Sequence, residues 1–297
     1  MKNRIGLNTH LPNLQTLNKI KEVNIKWIRC DFNWDIIEPH QGNFDYTIID
    51  QIVNFCKDND VNVFPTIGYT PGWANGNRSH NFPPNNENDW TNFVSKVVRR
   101  YKDDINIWSI WNEPNTEYFQ GTLDEYIQRI FVPASKIIKS LGLKVATPEI
   151  SVTDPKWWKW LDRFSTLRDK YDIMTFHCYA KDGQRVIDYI ENSRWPWYLR
   201  WLSWFLNRLY PVYQPIKNKL IGESWLTETG WATNGTSEVK QRQNYEEIVA
   251  YLRSHSTLQK VFFYEIIDDP ATPFKFGVLR SDYSAKPAYD YIKSVCQ

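Results

Sequence analysis

The chain has 297 residues, and its 36 Lys and Arg against 34 Asp and Glu give a formal net charge of +2. This near balance is unlike the basic surface of a protein that coats nucleic acid, so we predict no nucleic-acid partner. Hydrophobic residues form 42% of the chain, which is enough for a packed core and excludes an intrinsically disordered or low-complexity protein. The 15 Trp and 17 Tyr make it unusually rich in aromatic side chains.

Hydropathy argues against a membrane-spanning helix. Arg200 and Arg208 interrupt the most apolar segment, so no run reaches the roughly 18 to 20 uncharged apolar residues that a span requires. The first ten residues lack the apolar core of a secretory signal, which predicts a cytoplasmic protein, or an extracellular one whose leader has been removed. The four cysteines are far apart and form no C-x-x-C pair, so reduced thiols are expected.

Eight short apolar or β-branched segments alternate with segments of helical periodicity along the chain. The predicted strands span residues 5–8, 26–31, 62–67, 106–110, 144–147, 172–177, 220–228 and 260–265. The repeat of about 37 residues is typical of a (β/α)8 barrel. A doubly wound sheet is the competing fold, but no glycine-rich phosphate-binding loop follows the first strand. We therefore predict an α/β protein, a single-domain TIM barrel over residues 1–297.

The sixth strand–helix unit is longer than the others and rich in tryptophan. Aromatic residues from Trp197 to Phe205 recur at helical spacing, which predicts an extended sixth helix region over about residues 183–215. An aromatic stripe usually packs on the core, so a helix packed on the barrel is the first interpretation. The alternative is a surface that contacts sugar or a membrane.

Two glutamates follow predicted strands and carry the chemistry. Asn112-Glu113-Pro114 follows the fourth strand, and Glu228 ends the seventh. Three strand–helix units separate them, so both side chains should reach the carboxyl-terminal rim of the barrel. A facing pair of carboxyl groups can protonate a departing glycosidic oxygen and attack the anomeric carbon. Burial and like charge hold one carboxyl protonated while the other stays ionised.

These segments resemble the retaining glycoside hydrolases of clan A, and most closely family 39, which includes β-xylosidases, α-L-iduronidases and bacterial exopolysaccharide endoglycosidases. The resemblance implies that Glu113 is the acid/base and Glu228 the nucleophile. It extends over nearly the whole chain and is carried by residues 27–34, 67–74, 107–115, 227–231, 276–279 and 286–289.

The resemblance also implies roles for residues around the pair. Asn112 corresponds to the residue that binds the sugar 2-hydroxyl, and Tyr179 of the His177-Cys178-Tyr179 segment to the one that steadies the nucleophile. Arg29, at the end of the second strand, corresponds to an arginine that keeps the nucleophile ionised. The alternative for His177 is a structural histidine, and for Arg29 a structural ion pair with Asp31 or Glu38.

Aromatic residues are predicted to line the sugar site. Tyr264 stands where the clan often has a tryptophan at the end of the eighth strand, and Glu265 nearby is either a hydroxyl-binding group or part of a solvated loop. Trp34, Trp73 and Trp231 lie in predicted rim loops, where an indole can stack on a sugar face. Their alternative is to pack the loops down. As walls, they would favour several subsites and cleavage within a chain.

We therefore expect a monomeric retaining hydrolase that cleaves a β-linked oligo- or polysaccharide by double displacement. We expect it to act on internal linkages. No metal and no organic cofactor is expected, because the five histidines are scattered without a metal-binding spacing. The pH profile should be bell-shaped, with Glu228 on its acid limb and Glu113 on its alkaline limb. Two alternatives stay open: a transglycosylase with the same pair, and a non-catalytic barrel that binds carbohydrate or lipid surfaces through its Trp-rich segment.

Overall fold

The computed structural model describes residues 1–195 and 197–297, except for the side chains of Trp197 and Arg200. One parallel sheet has the strand order β5-β4-β3-β2-β1-β9-β8-β7-β6. Its strands are β1 Ile5–Asn8, β2 Trp27–Asn33, β3 Asn62–Gly68, β4 Ile107–Ile110, β5 Lys144–Val145, β6 Ile150–Ser151, β7 Met174–His177, β8 Ser224–Thr229 and β9 Lys260–Phe263.

The nine strands form an eight-stranded barrel whose fifth strand is interrupted. β5 pairs with β4, and β6 pairs with β7. Single bridges from Asn112 to Glu149 and from Ala146 to Ile173 close the sheet between them. Pro148 lies at the interruption, where a residue without a backbone N–H cannot continue the ladder. The predicted (β/α)8 fold is confirmed, and the predicted fifth strand continues beyond residue 147 as β6.

Helices follow the strands and surround the barrel. They are α1 Leu14–Val23, α2 Trp34–Ile37, α3 Thr47–Asp58, α4 Gly72–Asn75, α5 Glu87–Tyr101, α6 Leu123–Glu125 with a π-helical turn Tyr126–Phe131, α7 Val132–Ser140, α8 Trp157–Ser165, α9 Gly183–Glu191, α10 Ser203–Leu209, α11 Glu238–Ser254 and α12 Pro287–Cys296. Short 3-10 turns span Trp197–Leu202, Pro211–Tyr213 and Ile216–Lys219.

The longer helices bury one face each, as α5 illustrates. Asn86 caps its first turn by accepting a hydrogen bond from the Asn88 amide, and Trp90, Phe93 and Val97 face the barrel fully buried. Burying a large apolar side chain contributes about 1.5–3 kcal/mol, so the stripe holds the helix on the sheet. Within the described ranges, the helices are all too short or too polar to cross a bilayer.

The predicted extended sixth helix is wrong as a continuous element. α9 ends at Glu191, and the chain leaves it through extended Asn192 (φ −119°, ψ 156°), whose side chain folds back onto Asp188. Asparagine favours such helix ends because its side chain competes for local hydrogen bonds. The region continues as the 3-10 turn Trp197–Leu202 and then α10. Pro196 and the side chain of Trp197 lie outside the described residues.

Candidate active site

A cleft of about 560 Å³ opens at the carboxyl ends of the strands. This rim is where (β/α)8 enzymes place their chemistry. Glu113 and Glu228 both line the cleft, and so do four of the predicted binding residues, namely Arg29, Asn112, Tyr179 and Tyr264. The structure therefore brings together six residues that are far apart in the sequence.

Glu113 and Glu228 face each other across the floor of the cleft. Glu228 belongs to β8, whose residues are all buried. Glu113 follows β4 through a turn in which Trp111 and Glu113 have left-handed backbones (φ +70° and +41°). Such conformations are costly outside glycine and are retained where the surrounding structure imposes them, often at functional sites. A carboxylate oxygen of each glutamate and one ring nitrogen of His177 lie within 4.8 Å of one another.

His177 lies beneath the two glutamates, at the end of β7. Its Nδ1 is 2.8 Å from Glu113 Oε1 and 3.5 Å from Glu228 Oε2. Burial acts to lower the pKa of His177, but the negative charges of Glu228 and Glu113 outweigh burial and raise the pKa above its usual value. The imidazole thus places a proton between two carboxyl groups, which offsets their mutual repulsion.

Glu228 is held by two further donors. Arg29 Nη1 lies 2.9 Å from its Oε1, and the Tyr179 hydroxyl donates to its Oε2 at 2.8 Å. Burial raises the pKa of Glu228, while the charges of His177 and Arg29 and the Tyr179 hydrogen bond act to lower it. Burial also raises the pKa of Tyr179, so its hydroxyl remains a donor. Both oxygens of this carboxylate are therefore held by protein groups.

Glu149 is a functional residue that the sequence analysis missed. It is fully buried and takes two hydrogen bonds from Arg29, from Nε at 2.7 Å and from Nη2 at 2.6 Å. Arg29 also donates to Asn8 and Asn112. The guanidinium is thus locked by a bidentate partner, a geometry that restricts its orientation. Glu149 lies two residues after the predicted fifth strand, and that position at the rim is the signal that could have found it.

His10 is a second missed residue. Its Nδ1 lies 2.9 Å from Asp31 Oδ2, and its Nε2 lies 3.1 Å from the Tyr264 hydroxyl and 3.5 Å from Glu265 Oε2. The hydrogen bond to Asp31 raises the pKa of His10 to about 9, and burial raises the pKa of Glu265 to about 7. Of the two interpretations of Glu265, the structure favours a cleft-lining group, because it is buried at the cleft wall. The loop position of His10 after β1 was the available signal.

Comparison of the whole chain with known proteins confirms the family resemblance of its sequence motifs. The model of the family described as glycosyl hydrolases family 39 matches residues 7–294. The chain belongs to this family. Its structure is similar to that of a family 39 glycoside hydrolase from Bacteroides cellulosilyticus WH2, with 21% identity, a TM-score of 0.72, and coverage of 99% of this chain and 64% of that chain.

Two other relatives have narrower or more distant similarity. Native xylanase 10B from Thermotoga maritima shares the fold at 17% identity and a TM-score of 0.67, over 99% of this chain and 95% of that chain. A thermostable celloxylanase from Thermoclostridium stercorarium is 27% identical over 146 residues, covering 40% of this chain and 38% of that protein. The chain described here therefore spans less than two thirds of the length of the celloxylanase and of the Bacteroides protein.

The cleft of this family 39 protein is not lined by the three tryptophans predicted as its walls, Trp34, Trp73 and Trp231. Trp34 is fully buried and donates its Nε1 to Glu38 Oε2 at 2.8 Å. The Nε1 of Trp73 donates to the backbone oxygen of Glu38, and that of Trp231 to the backbone oxygen of Ala180, each at 2.9 Å. Each indole therefore packs a loop down and has its N–H satisfied inside the protein. The aromatic side chains that do line the cleft are Tyr69, Tyr118, Tyr179, Tyr264, Phe274 and Phe276.

Glu113, His177 and Glu228 are close enough to form part of a metal site. Two features of this family 39 site oppose that use. His177 Nδ1 and Glu113 already hydrogen-bond each other, and the Arg29 guanidinium lies 2.9 Å from Glu228. A fixed positive charge at that distance repels a second cation. The arrangement suits proton transfer and nucleophilic attack better than metal binding.

Proposed function

We propose that this family 39 chain is a retaining O-glycoside hydrolase that cleaves internal linkages of a β-linked oligo- or polysaccharide. The observation that carries this proposal is the close approach of Glu113 and Glu228, since one carboxylate oxygen of each lies within 4.8 Å of the other in the cleft. Retaining glycosidases hold their carboxyl groups about 5–5.5 Å apart, whereas inverting ones need roughly 6.5–9.5 Å to admit a water. The short separation favours direct attack by one carboxylate.

The surroundings of the two glutamates support different roles. Arg29 and Tyr179 stabilise the ionised form of Glu228 and orient it, as a nucleophile requires. Glu113 is less buried than Glu228, lines the cleft and shares a hydrogen bond with His177 Nδ1, which fixes the position of this carboxyl group. We therefore assign attack to Glu228 and proton transfer to Glu113.

The reaction then proceeds in two displacements. Glu228 attacks the anomeric carbon as Glu113 gives its proton to the departing glycosidic oxygen, leaving a glycosyl ester on Glu228. Glu113, now ionised, takes a proton from water, and the resulting hydroxyl displaces Glu228 and releases the sugar. Asn112 accepts a hydrogen bond from Arg29 through Oδ1, which orients its amide group to donate to the sugar 2-hydroxyl.

The shape of the cleft supports cleavage within a chain. It is open and about 560 Å³ in volume, and aromatic side chains from several loops line it. Aromatic rings can stack on successive sugars while hydroxyls bind polar groups between them. These features fit a polymer that extends to both sides of the glutamate pair.

Release of reducing ends from xylans, β-glucans, mannans, galactans and bacterial exopolysaccharides tests the proposal. Wild-type protein and Glu228→Ala are compared, with product size read by mass spectrometry. We expect oligosaccharides from one β-linked polymer and none from the variant. Release of a single monosaccharide would contradict internal cleavage. Equal release by the variant would contradict the proposal itself, and so would a wild type that releases nothing from any polymer.

Replacing Tyr179 by phenylalanine should move the acid limb of kcat/KM to higher pH by about one unit. Glu228 must be ionised to attack, so activity falls as the pH drops through its pKa. The Tyr179 hydrogen bond lowers that pKa, and its removal raises it. The measurement is a pH profile of kcat/KM.

Tyr289→Phe is the matched control for this change, because its buried hydroxyl donates to Lys19 on α1, outside the cleft. We expect its acid limb to coincide with that of the wild type. An acid limb unmoved in Tyr179→Phe, or moved equally in both variants, would contradict the assignment of that limb to Glu228.

A further inference from the structure

An apolar surface unrelated to the cleft chemistry lies in the segment between α9 and β8. Of thirteen exposed large hydrophobic side chains in the described part of the chain, eight fall between residues 198 and 221. They are Tyr198, Trp201, Trp204, Phe205, Leu209, Tyr210, Tyr213 and Ile221. We call these eight residues the aromatic surface. Exposed apolar patches of this kind mark interaction sites.

The spacing of its central residues shows that the exposure is organised. Trp204 and Phe205 lie three and four residues after Trp201, and Arg208 and Leu209 lie three and four residues after Phe205. This is the spacing of a single helical face. In a globular protein such a face normally packs on the core. Here Trp201 is 74% exposed and Trp204 is 69% exposed. The apolar face of α10 and the turn before it points into solvent.

Charge around the aromatic surface indicates an anionic partner. From residue 192 to residue 222 the sequence contains five basic residues and no Asp or Glu. Lys217 and Lys219 bind carboxylates of the neighbouring helices, Glu191 and Asp162. Arg208 remains exposed on the same face as the tryptophans. Exposed aromatic and aliphatic side chains with a basic residue among them are typical of helices that lie at a lipid interface.

Two polar groups near this face are already paired within the protein. The Trp201 Nε1 donates to the backbone oxygen of Tyr198 at 3.0 Å. Asn207 Oδ1 accepts from the indole of Trp195 at 2.8 Å. A carbohydrate platform needs polar partners beside its stacking rings, whereas a bilayer accepts an apolar face without them. Exposed Trp and Tyr rings with polar tips are typical of membrane–water interfaces, so the tyrosines of the aromatic surface also fit a lipid partner.

We propose that the aromatic surface binds the face of an anionic phospholipid bilayer. Arg194, at the start of the segment, packs on the rings of Trp157 and Tyr189, and its Nη1 lies 3.4 Å from the backbone oxygen of Val152. The neighbours of Val152, Ser151 and Thr153, line the cleft. Docking through this surface therefore tethers the cleft to the membrane, where it meets lipid-attached or surface-bound glycans. Binding itself is independent of the proposed catalytic function.

Co-sedimentation with vesicles tests the proposal on the full chain. The vesicles are pure phosphatidylcholine or phosphatidylcholine with phosphatidylglycerol, and the variants are Trp201→Ala/Trp204→Ala and Arg208→Gln. We expect binding to the anionic vesicles, at least about tenfold weaker in the double variant because two indoles no longer enter the interface. Arg208→Gln should reduce the preference for phosphatidylglycerol.

A matched pair of leucines controls for general surface effects. Leu209 is 58% exposed within the aromatic surface, and Leu14 is 52% exposed on α1. Leu209→Ala should weaken vesicle binding, and Leu14→Ala should leave it unchanged. Thermal unfolding by circular dichroism shows whether each variant remains folded.

Four outcomes would overturn the proposal. The wild type could fail to bind anionic vesicles, or the double variant could bind them equally well. The double variant could instead lose retention on an insoluble polysaccharide while vesicle binding is absent, which would make the surface a glycan platform. Light scattering could also show a wild-type dimer that becomes a monomer in the double variant, which would make the surface a contact between copies of the chain.

Discussion

Replacing Glu228 by alanine is expected to lower kcat on a β-linked substrate by at least about 10⁴-fold, because the first displacement loses its nucleophile. The loss should appear with natural and activated leaving groups alike, since both need attack at the anomeric carbon. Glu223→Ala is the control, because Glu223 immediately precedes β8 and binds the indole of Trp225 instead of the cleft. That variant should keep wild-type kcat.

Azide gives this prediction a stereochemical readout. In Glu228→Ala, azide can occupy the space of the missing carboxylate and attack from the same face. A β-linked substrate with an activated leaving group should then yield an α-glycosyl azide, by a single inversion. Glu228→Ala with unchanged kcat, or a β-glycosyl azide from this variant, would contradict the nucleophile assignment.

Replacing Glu113 by alanine is expected to reduce kcat on natural linkages by about 10²–10⁴-fold, the usual contribution of a positioned proton donor. A dinitrophenyl glycoside should lose much less in the first displacement, because its leaving group departs without a proton. Hydrolysis of the glycosyl ester then becomes slow, and a burst of dinitrophenol should precede the steady state.

Azide also separates Glu113 from Glu228. In Glu113→Ala, azide attacks the glycosyl ester without base assistance, so it should accelerate turnover and yield a β-glycosyl azide with retained configuration. Glu117→Ala is the matched control, since Glu117 is an exposed glutamate in the same loop. Equal losses on natural and dinitrophenyl substrates, or no azide rescue, would contradict the acid/base role.

The barrel and the approach of the two glutamates could be predicted because both follow from local pattern. Strand-then-helix periodicity defines the units, and a residue at the carboxyl end of a strand reaches the rim whatever the rest of the chain does. Glu113 and Glu228 each end or follow such a strand. Their close approach is then a consequence of barrel closure.

The network around Arg29 could not be predicted in the same way. Its partners Asn8, Asn112, Glu149 and Glu228 lie in or beside four other strands, and sequence spacing alone does not show which of them come into contact when the barrel closes. The alternative considered from sequence was an ion pair with Asp31 or Glu38, both close along the chain. Proximity in sequence was the wrong guide to the partners of a buried guanidinium.

The tryptophans show a different limit. A rim position says that Trp34 lies near the cleft, but not which way its ring turns. The decisive contact is with Glu38, four residues later, which satisfies the indole N–H inside the protein. The prediction for the aromatic segment erred in the opposite direction. Its helical periodicity predicted packing on the core, but its aromatic side chains are exposed. The spacing of apolar residues predicts which face of a helix is apolar, but the tertiary packing determines what that face contacts.

The central claim is that Glu113 and Glu228 act as a retaining pair, and the configuration of the first product tests it most directly. Proton NMR can follow the wild-type reaction on a β-linked oligosaccharide that the chain cleaves, before mutarotation mixes the anomers. The short carboxylate separation predicts that the β-anomer appears first. Initial formation of the α-anomer would show a single inverting displacement and would contradict the account.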